Sequence, residues 1–175
     1  MNNIKKLFLI STISICLLTI TQVDTIAQIR YSGKIEAGYL PFSATTIRGD
    51  GGLQSALDET QNGKEISVIN GVKFKERLFI GVGVGYLNFE GTKGYSIFGD
   101  IDFLVSKTKL SPLINFRAGH SKIINQEEKD NTSGTVEFGF GVNYKAANRL
   151  NIYLKVGAAF AHNASYTPIR IGVAL

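Results

Sequence analysis

From residue 30 onward the chain alternates apolar residues with small or polar ones in steps of two. Val136, Phe138, Phe140, Val142 and Tyr144 are interleaved with Thr135, Glu137, Gly139, Gly141, Asn143 and Lys145. Tyr95, Ile97, Gly99, Ile101, Phe103 and Val105 are interleaved with Ser96, Phe98, Asp100, Asp102 and Leu104. Successive side chains of a strand point to opposite faces, so each segment has one greasy, aromatic face and one face of glycine, small polar and charged residues. Eight strands are predicted, over about 30–40, 64–74, 78–89, 94–105, 112–122, 135–145, 150–161 and 167–175. Each is long enough to cross a bilayer at a tilt, which takes roughly 9–11 residues.

The connections alternate in length. Lys75-Glu76-Arg77, 106–111 and 146–149 are short, whereas the other links, 41–63, 90–93, 123–134 and 162–166, are mostly longer. Short turns on one side and longer loops on the other, with an even strand number, describe an antiparallel up-and-down transmembrane β-barrel. The short turns and both termini are expected on the periplasmic side. In that barrel Ile35, Ala37 and Tyr39 of the first strand face lipid, as do Leu154, Val156 and Phe160 of the seventh.

The first 27 residues read as an address. Lys5 and Lys6 form a positive start, Leu7 to Ile20 is apolar, and Thr25-Ile26-Ala27 offers a small-residue cleavage site before Gln28. The run is too short for a comfortable membrane helix. Cys16 lies inside it, preceded by Ile15 and followed by Leu17, which is not the context of a lipid-modified cysteine. The expected division is therefore a cleaved signal peptide over 1–27 and one all-β barrel domain over 28–175. That domain contains no cysteine, so it needs no disulfide and has no thiol chemistry.

Composition fits a barrel better than a helical membrane protein. Hydrophobic residues make up 44% of the chain, and mean hydropathy is only +0.08, because alternate positions alone meet lipid. The net charge of +5 is spread over strands and turns. No basic cluster interleaved with aromatics is present, so nucleic acid is not an expected partner.

Eight strands enclose an interior that side chains fill, and charges there need partners. The inward set contains Glu36, Asp100, Asp102, Arg117, Glu137, Lys155 and Arg170. Strand adjacency pairs Glu36 with Arg170, Asp100 and Asp102 with Arg117, and Glu137 with Lys155. Phe98, Leu104 and Tyr153 add bulk, so a plugged lumen is expected. Tyr31, Tyr39, Tyr86, Tyr95, Tyr144 and Tyr166 fall near strand ends, where an aromatic girdle would place each ring in lipid and each hydroxyl in water.

The leader, glycine–aromatic strands such as Val136-Glu137-Phe138-Gly139-Phe140-Gly141-Val142-Asn143-Tyr144, and the closing Ile169-Arg170-Ile171-Gly172-Val173-Ala174-Leu175 carry a resemblance. Together they resemble the small outer-membrane β-barrel domain family of Gram-negative bacteria, similar in architecture to the barrel domain of outer-membrane protein A. The resemblance spans the whole mature chain and carries no catalytic motif. It implies residence in the bacterial outer membrane, contact with its lipid and lipopolysaccharide, and passage through the barrel-insertion machinery during assembly. Such barrels usually end in an aromatic residue, and here the last residue is Leu175.

Motifs for chemistry are weak. Gly81-Val82-Gly83-Val84-Gly85 has the wrong spacing for a dinucleotide loop and sits within a strand. His120 and His162 are apart from each other and are read as solvated residues near the loop ends. Arg48-Gly49-Asp50 matches an adhesion triplet of only three residues, and Glu127, Glu128, Lys129 and Asp130 form a charged loop. No cofactor, metal or enzymatic activity is expected. The expected function is a non-enzymatic barrel that presents loops for structural or surface-interaction roles. Two alternatives remain open: a narrow or gated pore, and a soluble periplasmic barrel that binds a small apolar ligand.

Overall fold

The structure, a computed structural model, describes residues 29–45, 61–124, 132–162 and 164–175. The leader, the Arg-Gly-Asp triplet and the acidic loop at 127–130 lie outside the described residues. Ten strand segments follow in order: β1 Ile29–Leu40, β2 Phe42–Thr45, β3 Gly63–Phe74, β4 Leu78–Phe89, β5 Thr92–Leu104, β6 Leu110–Ile124, β7 Thr132–Lys145, β8 Asn151–Ala161, β9 Ala164–Tyr166 and β10 Ile169–Ala174. Pro41 separates β1 from β2, and Thr167-Pro168 separates β9 from β10. Proline cannot donate to a ladder, so each interruption marks a bend in one long strand. The ten segments thus make eight antiparallel staves.

The sheet closes on itself. β1 pairs with β3 on one side, with Ile35 opposite Val68, and with β10 on the other, with Ile35 opposite Val173. β10 pairs in turn with β8, Ile171 opposite Leu154. Above the prolines the same seam continues, with β2 against β9 and β9 against β8. Among the described residues, closure through β10 leaves no free edge along the spanning staves, which is what a bilayer demands; β2, beyond Pro41, pairs with β9 alone.

Parity decides which way each side chain points. Ile35, Val68, Val84, Ile97, Phe138, Leu154, Val156 and Ile171 are exposed on the outer surface. Their neighbours Glu36, Ser67, Phe98, Asp100, Glu137, Lys155 and Arg170 are buried in the lumen. The soluble alternative required an apolar interior and a wet exterior. The strands make the reverse arrangement.

The connections confirm one short side and sharpen the other. Phe74 and Leu78 flank a three-residue turn in which Lys75 and Glu76 take positive φ values of 49° and 60°. The 90–93 link is tighter than expected, with Phe89 already paired to Thr92 across Glu90-Gly91. Both residues have positive φ, 48° and 108°, as the favoured two-residue hairpin requires. The asparagine before this hairpin, Asn88, accepts a bond from the Gly91 amide at 3.1 Å.

Candidate functional site

The lumen is stacked in three layers. On the turn side Leu104, Leu113, Tyr153 and Ala174 pack together. On the loop side Leu40, Leu87, Phe89, Ile123, Ala159, Ala164 and Tyr166 form a larger apolar cap. Between them lie four buried cations, Lys34, Arg117, Lys155 and Arg170, and five buried carboxylates, Glu36, Glu65, Asp100, Asp102 and Glu137.

These charges meet as a continuous network. Arg117 Nη2 donates to Glu36 Oε1 at 2.5 Å, and its Nε reaches Asp100 Oδ1 at 3.3 Å. Lys155 Nζ lies 2.7 Å from Glu36 Oε2. Lys34 Nζ bonds Asp100 and lies 2.6 Å from Asp102 Oδ2. Arg170 grips Glu137 with two parallel bonds of 2.7 Å and reaches Glu65 at 2.5 Å. Asn115, fully buried, bridges the two aspartates with its amide, at 3.0 Å to Asp100 and 2.7 Å to Asp102. Charge-assisted and bidentate bonds of this kind are the strong ones. Rings close over the cations: Phe98 lies 4.0 Å from the Arg117 guanidinium, and Phe79 lies 3.9 Å from Lys34 Nζ.

Glycine makes room for this filling. A Cβ on Gly83 would stand 2.6 Å from the Phe98 ring and 2.8 Å from Ile69. Of the glycines once comparable to a nucleotide loop, Gly81 and Gly83 are therefore the recess into which Phe79 and Phe98 fit, and Gly85 makes room for Glu65 and Ser96.

Two of the expected pairings are made: Asp100 with Arg117, and more distantly Glu36 with Arg170 at 3.6 Å. Asp102 turns instead to Lys34 and Asn115. Glu137 does not meet Lys155. Their registers differ, with Glu137 opposite Ala159 and Lys155 opposite Gly141, so Glu137 is left for Arg170 reaching across from β10. Lys34 and Glu65 were absent from the expected set, although parity identifies both. Each lies an even number of residues from an inward neighbour, Glu36 and Ser67 respectively.

Five of the six strand-end tyrosines point outward. Tyr39, Tyr86 and Tyr95 lie toward the loop side, with Tyr86 directly opposite Tyr95. Tyr31 and Tyr144 lie toward the turn side. The eight steps from Tyr31 to Tyr39 span about 20 Å of height at a barrel tilt, near the apolar band of about 25 Å. Tyr166 corrects the expectation. It is only 2% exposed and packs its ring inside the lumen against Phe89 at 5.7 Å and Phe42 at 6.1 Å. It shares parity with inward Pro168 and Arg170, so the loop-side cap, not the lipid boundary, receives it.

His162 also differs from expectation. His120 is exposed, but His162 is buried, its ring Nε2 2.8 Å from Ser121 Oγ and its backbone N–H donating to Ser133 Oγ at 2.9 Å. It sits in the turn after β8, beyond the spanning strands. Burial pushes its imidazole down to about 4. Between about pH 6.5 and pH 4 the unfolded chain binds a proton there that the folded chain does not. The stability from neutral His162 is therefore complete above about pH 6.5 and is lost as the pH falls toward 4. Unfolding midpoints in urea at about pH 7 and about pH 5 should diverge in the wild type and converge in His162→Gln. Equal divergence in both proteins would show that another group drives the change.

The fold and its filling define a class: a closed eight-stranded antiparallel barrel with an apolar outer band and an ionic, side-chain-filled interior. No protein-family model matches the sequence, and none of the curated proteins is similar to it. Among solved structures it is similar to Neisserial surface protein A, with a TM-score of 0.64 and 13% identity over 84% of this chain and 97% of that one. It is also similar to the N-terminal β-barrel domain of Pseudomonas aeruginosa OprF, with a TM-score of 0.54 and 12% identity over 85% of this chain and 100% of that one. The chain therefore has the fold of the small eight-stranded outer-membrane barrels.

Proposed function

We propose that this chain is a non-enzymatic integral protein of the bacterial outer membrane that presents its longer connections, within 41–63 and 123–134, for structural or surface contacts. Residues 1–27 are a removed signal peptide, and the short turns and both ends of the mature chain face the periplasm. Assembly runs through the barrel-insertion machinery, and the finished surface meets lipid and lipopolysaccharide. One observation carries the reading: the outer face is an apolar belt, interrupted at Asn70, whose side-chain oxygen accepts a 2.6 Å bond from the Tyr31 hydroxyl, while every charge at mid-height is turned inward and paired. A soluble protein has no use for such a belt. The five outward tyrosines, with Arg77 lying 5.0 Å over the Phe103 ring and Lys109 5.2 Å over Tyr144, supply the interfacial girdle.

The interior supports a plug over a pore. The cavities on either side of the charge layer measure about 40 and 20 Å³, enough for a few waters and no more. Planar-bilayer recording of the refolded protein should show no sustained conductance. Stable open-channel currents from the wild-type monomer would replace the plug with the pore. Fractionation of a cell envelope, with boiled and unboiled samples compared on a gel, tests the location. A heat-modifiable band in the outer-membrane fraction is expected, and recovery as a soluble periplasmic species would overturn the reading.

A further inference from the structure

Inward alternation does not end at the layer of Leu104, Leu113 and Tyr153. Below it, on the turn side, Arg30 follows Ser32 in parity, Lys73 follows Ile69 and Lys145 follows Asn143. The turns add Lys107 and Arg149. These five cations line an open cavity of about 370 Å³, with Glu76 the one acidic side chain among the described lining residues.

The arrangement is costly as it stands. Arg30 lies directly opposite Lys73 in the β1–β3 ladder, and like charges facing each other across strands are destabilising. Among the described residues, none of the five cations comes within ion-pair distance of a carboxylate. The contrast with the charge layer above is sharp, since every cation there has an anionic partner. Neutral donors complete the lining: the amides of Asn148 and Asn151.

We propose that this turn-side mouth binds a compact polyanion bearing several phosphate groups. The charge calls for more than one anionic group, because five cations surround one space. The volume lies within the range of small-molecule pockets. Two arginines offer planar forks that fit phosphate oxygens, and the lysines add point charges. A soluble phosphorylated molecule and the headgroup of an anionic phospholipid share this chemistry.

The probe is inorganic tripolyphosphate, titrated calorimetrically into the folded protein in zwitterionic detergent. One saturable site is expected, with affinity falling steeply as salt rises. The paired change Arg30→Gln with Lys73→Gln should weaken binding at least tenfold. Lys93→Gln with Lys122→Gln, on the loop side, should leave it unchanged. Without ligand, the Arg30/Lys73 double variant should resist urea better than the wild type, because the facing cations are gone. If that variant fails to give a heat-modifiable band, Lys107→Gln with Arg149→Gln, outside the strands, tests the same loss. Repeating the titration in nanodiscs separates the sources. Competition from an anionic phospholipid assigns the site to headgroups, and undiminished binding assigns it to a soluble phosphate compound. Absence of saturable binding at low salt, or equal affinity in the folded turn-side variants, would overturn the site.

Discussion

Arg170→Met is expected to cost about 3–5 kcal/mol, the range for breaking a buried ion pair from one side. The guanidinium serves Glu137 with two bonds and Glu65 with a third contact, and methionine leaves Glu137 without its cation and Glu65 with Arg117 alone, 3.6 Å away. The direction of the imbalance matters as well. The layer already holds five carboxylates against four cations, so losing a cation widens the excess, whereas losing a carboxylate removes it. Glu36→Gln should therefore cost less than Arg170→Met, even though Arg117, Lys155 and Arg170 all converge on Glu36. Combining Arg170→Met with Glu137→Gln should recover part of the loss, and a double-mutant cycle measures that coupling. The chain has no tryptophan, so unfolding is best followed by circular dichroism or by the band shift of unboiled samples. Equal costs for Arg170→Met and Glu36→Gln would mean that the lumen's net charge has no bearing on stability.

The second large effect lies on the opposite face. Val156 sits at the centre of β8, outward and half exposed, between Phe140 of β7 and Ile169 of β10. Arginine there should cost about 2–4 kcal/mol in a bilayer, as a charge does at the midplane of a barrel wall. Val105 is also exposed, but it lies at the turn-side rim, where its carbonyl accepts a 2.6 Å bond from Arg77. Val105→Arg should cost about 0–1 kcal/mol, because a long side chain reaches water from the interface. Urea titrations in lipid vesicles compare the two directly. If both arginines are tolerated alike, the outer belt is not a lipid-facing band.

The barrel itself was legible because a period of two survives everything that happens at strand ends. One Val-Glu-Phe-Gly-Phe stretch is enough to separate the faces of β7, and the same parity runs through every stave. What the sequence concealed was register. Glu137 and Lys155 lie on neighbouring strands, but stagger sets Lys155 opposite Gly141, four residues away from Glu137. Tyr166 was misplaced by giving weight to residue type over parity. A tyrosine at a strand end suggests an interface, yet its phase with Arg170 turns it inward. The burial of His162 had no local signal, since it depends on Ser121 and Ser133, which reach it from β6 and β7.

The charge layer also bears on how the barrel comes together. Glu36 belongs to β1, near the start of the described chain, yet its cationic partners stand on β6, β8 and β10. None of them can reach it until the wall has curled most of the way round. Until then, Glu36 would have to remain hydrated or be dragged unpaired through lipid. A half-built wall thus carries the desolvation cost of the interior without its compensating bonds. Contacts this distant in sequence tie the fate of the first stave to that of the last, so the eight staves are expected to zip shut and open as one cooperative unit, with no stable arc of four or six.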